Sequence, residues 1–214
     1  MYKSRILIAD DHALVAEGLK GLLAENYEII GISPNGRALL ADAATLKPDV
    51  IVLDVGMPEL NGIDAAVQLS KILPSAKIVF VTQQIDVQYL RAAFRAGASG
   101  YVAKQSATKE LLSAIQKALS GEIYITPLLK DAFPDLSLKE LRQSSDVFAK
   151  DLTPRQREVL QLVAEGRTIK EISATLQISP KTVEFHKNAL MNEIGLRTTA
   201  ELTRYAISRG LING

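Results

Sequence analysis

Five short apolar runs, alternating with stretches of helical periodicity, constrain this chain more than any other feature. Arg5–Ala9, Glu28–Ser33, Asp49–Leu53, Ala76–Val81 and Ser99–Val102 read as strands. Ala13–Ala24, Gly36–Ala44, Asn61–Ile72, Asp86–Arg95 and Thr108–Leu119 read as amphipathic helices. Continuous apolar runs suit strands buried on both faces, and regular β–α alternation predicts a parallel sheet covered by helices on both sides. The junctions agree. Pro48 precedes the third strand, Gly62 opens the third helix, Pro74 ends it and Gly97 follows the fourth. The expectation is an α/β domain over residues 1–120, a doubly wound five-stranded parallel sheet.

The pattern breaks at Gly121. Ile123-Tyr124-Ile125-Thr126-Pro127 and Phe133-Pro134 read as irregular, and Ser137–Lys150 as a polar helix or loose linker. After Asp151 only helices fit: Pro154–Ala164, Ile169–Leu176, Pro180–Glu193 and Ala200–Arg209. Thr153, Thr168 and Ser179 stand at N-cap positions, with Pro154 and Pro180 in first turns and Gly166, Gly195 and Gly210 at or past helix ends. Residues 151–214 are therefore expected to form a small all-α four-helix domain. Residues 121–150 form the linker, long enough to serve as a hinge.

Composition excludes some chemistry. The 214 residues include no cysteine, so disulfides and thiolate metal sites are ruled out. The apolar runs are too short to span a bilayer, and Met1–Arg5 leads into a strand instead of a signal-peptide core. The expectation is a cytoplasmic protein that does not meet a membrane. Net charge is +1, and residues 151–214 carry nine basic and seven acidic side chains, too small an excess to argue for nucleic acid alone.

Ligands in open α/β sheets bind just beyond the carboxyl ends of the strands. In this chain Asp10-Asp11 follow the first strand, Asp54 the third, Thr82 the fourth and Lys104 the fifth. An isolated Asp-Asp pair is more often a cap or turn than a metal site. Asp54 changes the balance, because Val55-Gly56-Met57-Pro58 follows it: a loop that turns sharply while offering a backbone carbonyl to a cation. Three acids, a hydroxyl and a lysine converging at strand ends suit a hard cation and a phosphoryl group.

These residues resemble the CheY-like receiver domains of bacterial response regulators over residues 4–120, at Asp10, Asp11, Asp54, Pro58, Gly62, Thr82, Tyr101 and Lys104. The resemblance implies that Asp54 accepts a phosphoryl group. It assigns Mg²⁺ to Asp11, the Asp54 carboxylate and the Gly56 carbonyl, with Asp10 helping directly or through water. Thr82 and Lys104 would hold phosphoryl oxygens, and Tyr101 would change rotamer as Thr82 moves. Gln83 departs from the small residue usual after the threonine; its amide either reaches the phosphoryl site or points to solvent.

On its residues alone, the third helix of the C-terminal segment offers a polar face that could equally be an ordinary solvated surface, opposite a core stripe of Val183, Leu190 and Ile194. Leu152-Thr153-Pro154-Arg155-Gln156-Arg157-Glu158-Val159-Leu160, Lys170-Glu171-Ile172, Leu176-Gln177-Ile178-Ser179 and Gly195-Leu196-Arg197 resemble the LuxR-type helix–turn–helix domain. Joined to a receiver, this is similar to a NarL/FixJ-family response regulator. The resemblance implies double-stranded DNA and a sensor histidine kinase as partners, with a homodimer when phosphorylated. Ile169–Leu176 becomes the positioning helix, Pro180–Glu193 the recognition helix and the last helix a dimer surface. DNA contacts are expected from Lys170, Ser179, Lys181, Thr182, Glu184, Phe185, His186, Lys187 and Asn188. Glu184 and Glu193 stand where the family often has basic residues, which predicts weaker and less salt-steep binding.

Two other classes compete. An Mg²⁺-dependent phosphatase with an aspartate nucleophile would want a second acid beyond Asp54 and a substrate cap, whereas Val55-Gly56 follows and no insertion is present. A constitutive binding module that no longer takes phosphate draws support only from Gln83.

Overall fold

The computed structural model describes residues 3–134, 137, 140–141 and 152–212. The polar stretch Ser137–Lys150 lies, apart from residues 137, 140 and 141, outside the described residues. Two compact units divide the elements.

The first unit runs β1 (Arg5–Ala9), α1 (Ala13–Leu23), β2 (Glu28–Ser33), α2 (Gly36–Leu46), β3 (Val50–Leu53), α3 (Gly62–Ile72), β4 (Lys77–Thr82), α4 (Val87–Arg95), β5 (Gly100–Ala103), α5 (Ala107–Leu119), β6 (Tyr124–Ile125) and α6 (Pro127–Ala132). The strands order β2-β1-β3-β4-β5-β6, and every pairing is parallel. Strand alternation divides the core. Ile6, Ile8, Val50, Val52, Val79, Val81 and Val102 pack with Leu19, Leu23, Leu111 and Ile115 of α1 and α5. Leu7 turns the other way, toward Leu46 of α2. Burial on both faces explains why β3, β5 and, after Arg5, β1 are apolar.

The sheet has six strands, one more than the sequence reading expects. β6 lies in the stretch read as irregular. Tyr124 N–H donates to Ser99 O at 3.1 Å and Thr126 N–H to Tyr101 O at 2.8 Å, laying the chain along β5. Pro127 lacks the N–H a longer strand would use and instead starts α6 at its first turn. Tyr124 is fixed further by its hydroxyl, 3.2 Å from Glu110 Oε2. Burial and the Glu110 charge and hydrogen bond push its pKa up to about 12.

The second unit holds α7 (Pro154–Ala164), α8 (Ile169–Leu176), α9 (Pro180–Ile194) and α10 (Thr199–Ser208). α7, α8 and α10 begin in capping boxes, pairing Thr153 with Gln156, Thr168 with Glu171 and Thr198 with Glu201. Ser179 caps α9 by accepting from Thr182 N–H at 3.1 Å. The turn between α8 and α9 passes through Gln177 in the left-handed region, and Ser173 Oγ donates to Ile178 O at 2.6 Å to close it. Val159, Leu160, Leu162, Ile172, Val183, Leu190, Leu202 and Ala206 are fully buried at the centre of this core. Ile194 is only partly buried at its margin. Among the described residues no helix is long and apolar enough to cross a membrane.

Candidate functional site

At the carboxyl end of the sheet, β1 delivers Asp10, β3 delivers Asp54 and β5 delivers Lys104. Asp10 and Asp54 are buried, at 3% and 5% exposure. Between them sits the Lys104 ammonium, with Nζ 2.8 Å from Asp10 Oδ2 and 2.7 Å from Asp54 Oδ2. Burial draws the Lys104 pKa down, but its hydrogen bonds and charge attraction to Asp10 and Asp54 outweigh burial and hold it above the ordinary 10.5. One cation thus bridges two acids. Asp10 Oδ1 also accepts from His12 N–H at 2.9 Å, and Asp54 Oδ1 from Val55 N–H at 2.7 Å. Asp11 is the exposed member of the group.

The loop after β3 is folded tightly over this site. Gly62 N–H donates to Val55 O at 2.8 Å, and a Cβ at Gly62 would overlap the Asp54 carbonyl. Glycine is required there by close approach, not by an unusual backbone angle. Asn61 caps α3, with Oδ1 accepting from Asp64 N–H at 2.9 Å. Gly56 is half-buried in the same loop.

The donor set fits a divalent cation. Ligand atoms from Asp10, Asp11, His12 and Asp54 lie within 4.8 Å of one another. Asp10 Oδ2 is buried and paired with the Lys104 ammonium at 2.8 Å, a charge partner that a divalent cation would have to share with it.

Thr82 is buried at the end of β4, with its Oγ1 accepting from Gln84 N–H at 3.2 Å. Tyr101 is fully buried, and its hydroxyl donates to Gln84 O at 2.7 Å. Its phenol pKa is driven well above the usual value by burial first, then by Tyr89, Asp54 and Asp86. Gln83 is exposed and, with Thr82, Ile85, Ala103, Lys104 and Gln105, lines a cleft of about 430 Å³ beside the acids. Its side chain therefore faces solvent at the mouth of the site. Sequence reading passes over His12, which carries no motif signal of its own, and Gln105, whose place follows only from the turn after β5.

In the helical unit, Lys181, Glu184, Phe185 and Asn188 of α9 are exposed, while Thr182, His186 and Lys187 are half-buried. Phe185 is 68% exposed and meets His186 edge-on at 5.5 Å. Ser179 Oγ and Thr182 Oγ1 lie 2.8 Å apart at the helix start, and Lys170 is exposed near the start of α8. Lys187 Nζ is 3.5 Å from Thr199 Oγ1. Glu193 is engaged: its Oε2 accepts from Gln156 Nε2 at 2.9 Å, while Gln156 Oε1 accepts from Thr153 N–H at 2.7 Å. A 37-residue separation hides that link from sequence reading.

A parallel sheet of order 2-1-3-4-5-6 with an acid pair, a strand-end aspartate and a lysine at one end, in a chain that also carries a helix–turn–helix unit, defines a class of signalling protein. Residues 6–116 match the response regulator receiver domain, and residues 150–206 match the bacterial regulatory proteins of the luxR family. The chain belongs to the NarL/FixJ family of two-component response regulators. It is 35% identical to the transcriptional regulatory protein MctR of Rhizobium johnstonii, over 99% of this chain and 96% of that protein. It is 34% identical to the oxygen regulatory protein NreC of Staphylococcus epidermidis, over 97% of this chain and 99% of that one. Among solved structures, the RcsB response regulator of Salmonella typhimurium is similar at 25% identity and a TM-score of 0.63, covering 98% of this chain and 99% of that one. An RcsB–DNA complex is similar at 26% identity and a TM-score of 0.57, covering 97% and 99%.

Proposed function

We propose that this chain is a phosphorylation-switched DNA-binding transcription regulator acting in the cytoplasm, a signalling protein and not an enzyme. Residues 1–120 are its receiver, residues 121–150 a linker and residues 151–214 its DNA-binding domain. The observation that carries the reading is the Lys104 ammonium held between Asp10 and Asp54 at the strand ends.

Asp54 is the phosphoacceptor. Its carboxylate oxygen attacks phosphorus, and the bond from phosphorus to the donor, a sensor kinase histidine or a small acyl phosphate, breaks as the aspartyl phosphate forms. Asp10, Asp11, the Asp54 carboxylate and the Gly56 carbonyl would hold Mg²⁺, which supplies charge neutralisation for the transferring group. Lys104 pairs with a phosphoryl oxygen, and the Thr82 hydroxyl donates to another. Thr82 and Tyr101 both bond to Gln84, so a shift of the Thr82 hydroxyl is passed to the Tyr101 ring through that residue. Gln83 stands at the mouth of the site and affects entry and water access.

Lys170, Ser179, Lys181, Thr182, Glu184, Phe185, His186, Lys187 and Asn188 form the DNA face. Lysines serve phosphates, and Glu184 and Asn188 reach base edges. Phosphorylation favours a homodimer whose two helices bind linked half-sites.

Labelling with acetyl phosphate tests the reading. Wild-type protein takes up stoichiometric label only with Mg²⁺, and Asp54→Asn takes none. Persistent label on Asp54→Asn overturns the assignment.

A further inference from the structure

We propose that Phe185 is a specificity-determining residue of the DNA face, reading the C5-methyl group of a thymine in the major groove. The inference deepens the reading of α9 as a recognition helix and rests on it. Among the described residues Phe185 is the most exposed aromatic side chain, at 68%. Its place on the helix gives that exposure meaning. Val183 and Leu190 anchor α9 in the core, both at 0% exposure. Two residues along from Val183, at about 100° each, Phe185 projects from the opposite side. Lys181, Asn188 and Asn192, four residues before it and three and seven after, are exposed on the same side. A phenyl ring thus stands in the middle of the polar face that would enter a groove.

The ring carries no donor or acceptor, so its choice of partner is narrow. Against the edge of guanine, adenine or cytosine it would strip water from polar groups and give nothing back. In the major groove thymine alone offers an apolar group, the methyl at C5. Apolar wedges between base steps enter from the minor groove, which is too narrow for a helix. The ring is also partly set before binding. It meets His186 edge-on, with centroids 5.5 Å apart and planes at 71°, and His186 is itself half-buried. Less side-chain freedom is then lost on docking.

Binding-site selection on the full chain, phosphorylated with acetyl phosphate and Mg²⁺, should fix a thymine at one position of each half-site. Phe185→Ala should relax that position and leave the others. In the selected duplex, deoxyuridine in place of that thymine removes the methyl and keeps every hydrogen-bonding group. Wild type should lose about fourfold in affinity, the worth of one buried methyl, and Phe185→Ala should bind the two duplexes alike. Phe185→Leu, with an apolar tip, should keep part of the difference. A selected site with no thymine that Phe185→Ala relaxes, or equal binding of thymine and deoxyuridine by wild type, overturns the proposal while DNA binding stands. A difference that persists in Phe185→Ala hands the methyl to another side chain and overturns it too. If wild type selects no sequence at all, the recognition-helix reading falls and the proposal with it.

Discussion

Lys104 is the residue on which the acidic site's stability turns. With its side chain 9% exposed and two buried acids beside it, it offsets their mutual repulsion. Lys104→Met should lower stability by about 3 kcal/mol in urea melts without added metal, because it leaves buried charge uncompensated. Millimolar Mg²⁺ should restore part of the loss. The Lys104 pKa is raised in the folded protein, so its stabilisation is complete below the ordinary 10.5 and disappears as pH climbs through the higher folded value. That alkaline loss should be absent from the variant. Gly62 makes the opposite kind of demand. Alanine inside a helix usually gains about 1 kcal/mol over glycine. At Gly62 the added methyl meets the Asp54 carbonyl, so Gly62→Ala should destabilise the receiver and slow labelling by acetyl phosphate. A variant as stable and as fast as wild type would show that the loop yields.

Elements were legible where periodicity and capping coincide. α3, α8 and α9 begin at Asn61, Thr168 and Ser179, each a short polar side chain before an apolar pattern. β6 was not legible, because two residues carry no period and its partner strand is more than twenty residues earlier. Its signal was the aromatic and β-branched run before Pro127. In the acidic site the motif residues could be read, while His12's turn into the cluster and the Gly62 contact depend on how β1 and β3 are placed. The caps also predict a pH response. Hydrogen bonds from backbone and hydroxyl at Thr168 hold Glu171 below the ordinary 4.5, and those from Arg197 and Thr198 do the same for Glu201. A depressed folded pKa adds stability above 4.5 that is lost as pH falls through the lower value. Glu201→Gln should therefore destabilise the helical unit at pH 7 and cost progressively less in acid, as thermal melts across pH will show. Glu193→Lys breaks the bond from Gln156 and should cost about 1 kcal/mol in stability. It should still tighten DNA binding and steepen its salt dependence, by about one counterion for each phosphate neutralised.

Across the whole molecule, each unit has its own apolar core. Unfolding should resolve into two transitions by calorimetry, with the acidic site in only one of them. Mg²⁺ should raise that transition alone, by about 2.7 kcal/mol at a hundredfold excess over its dissociation constant. A common shift of both would mean that the two cores unfold together. Phosphorylation should change the oligomer seen in sedimentation and the footprint on DNA, and Asp54→Asn should show neither change.

The short strand β6 has a practical consequence. It hides one side of β5, whose four residues are all buried. A receiver ended at residue 120, where the regular alternation stops, would lose the bonds from β6 to the Ser99 and Tyr101 carbonyls and leave the outer edge of β5 open there, while β4 stays paired on the other side. Exposed apolar edges of that kind recruit other chains. Such a fragment should self-associate at concentrations where one ended at residue 134 stays monomeric, and light scattering on the two will show how far two residues and a proline guard the sheet against aggregation.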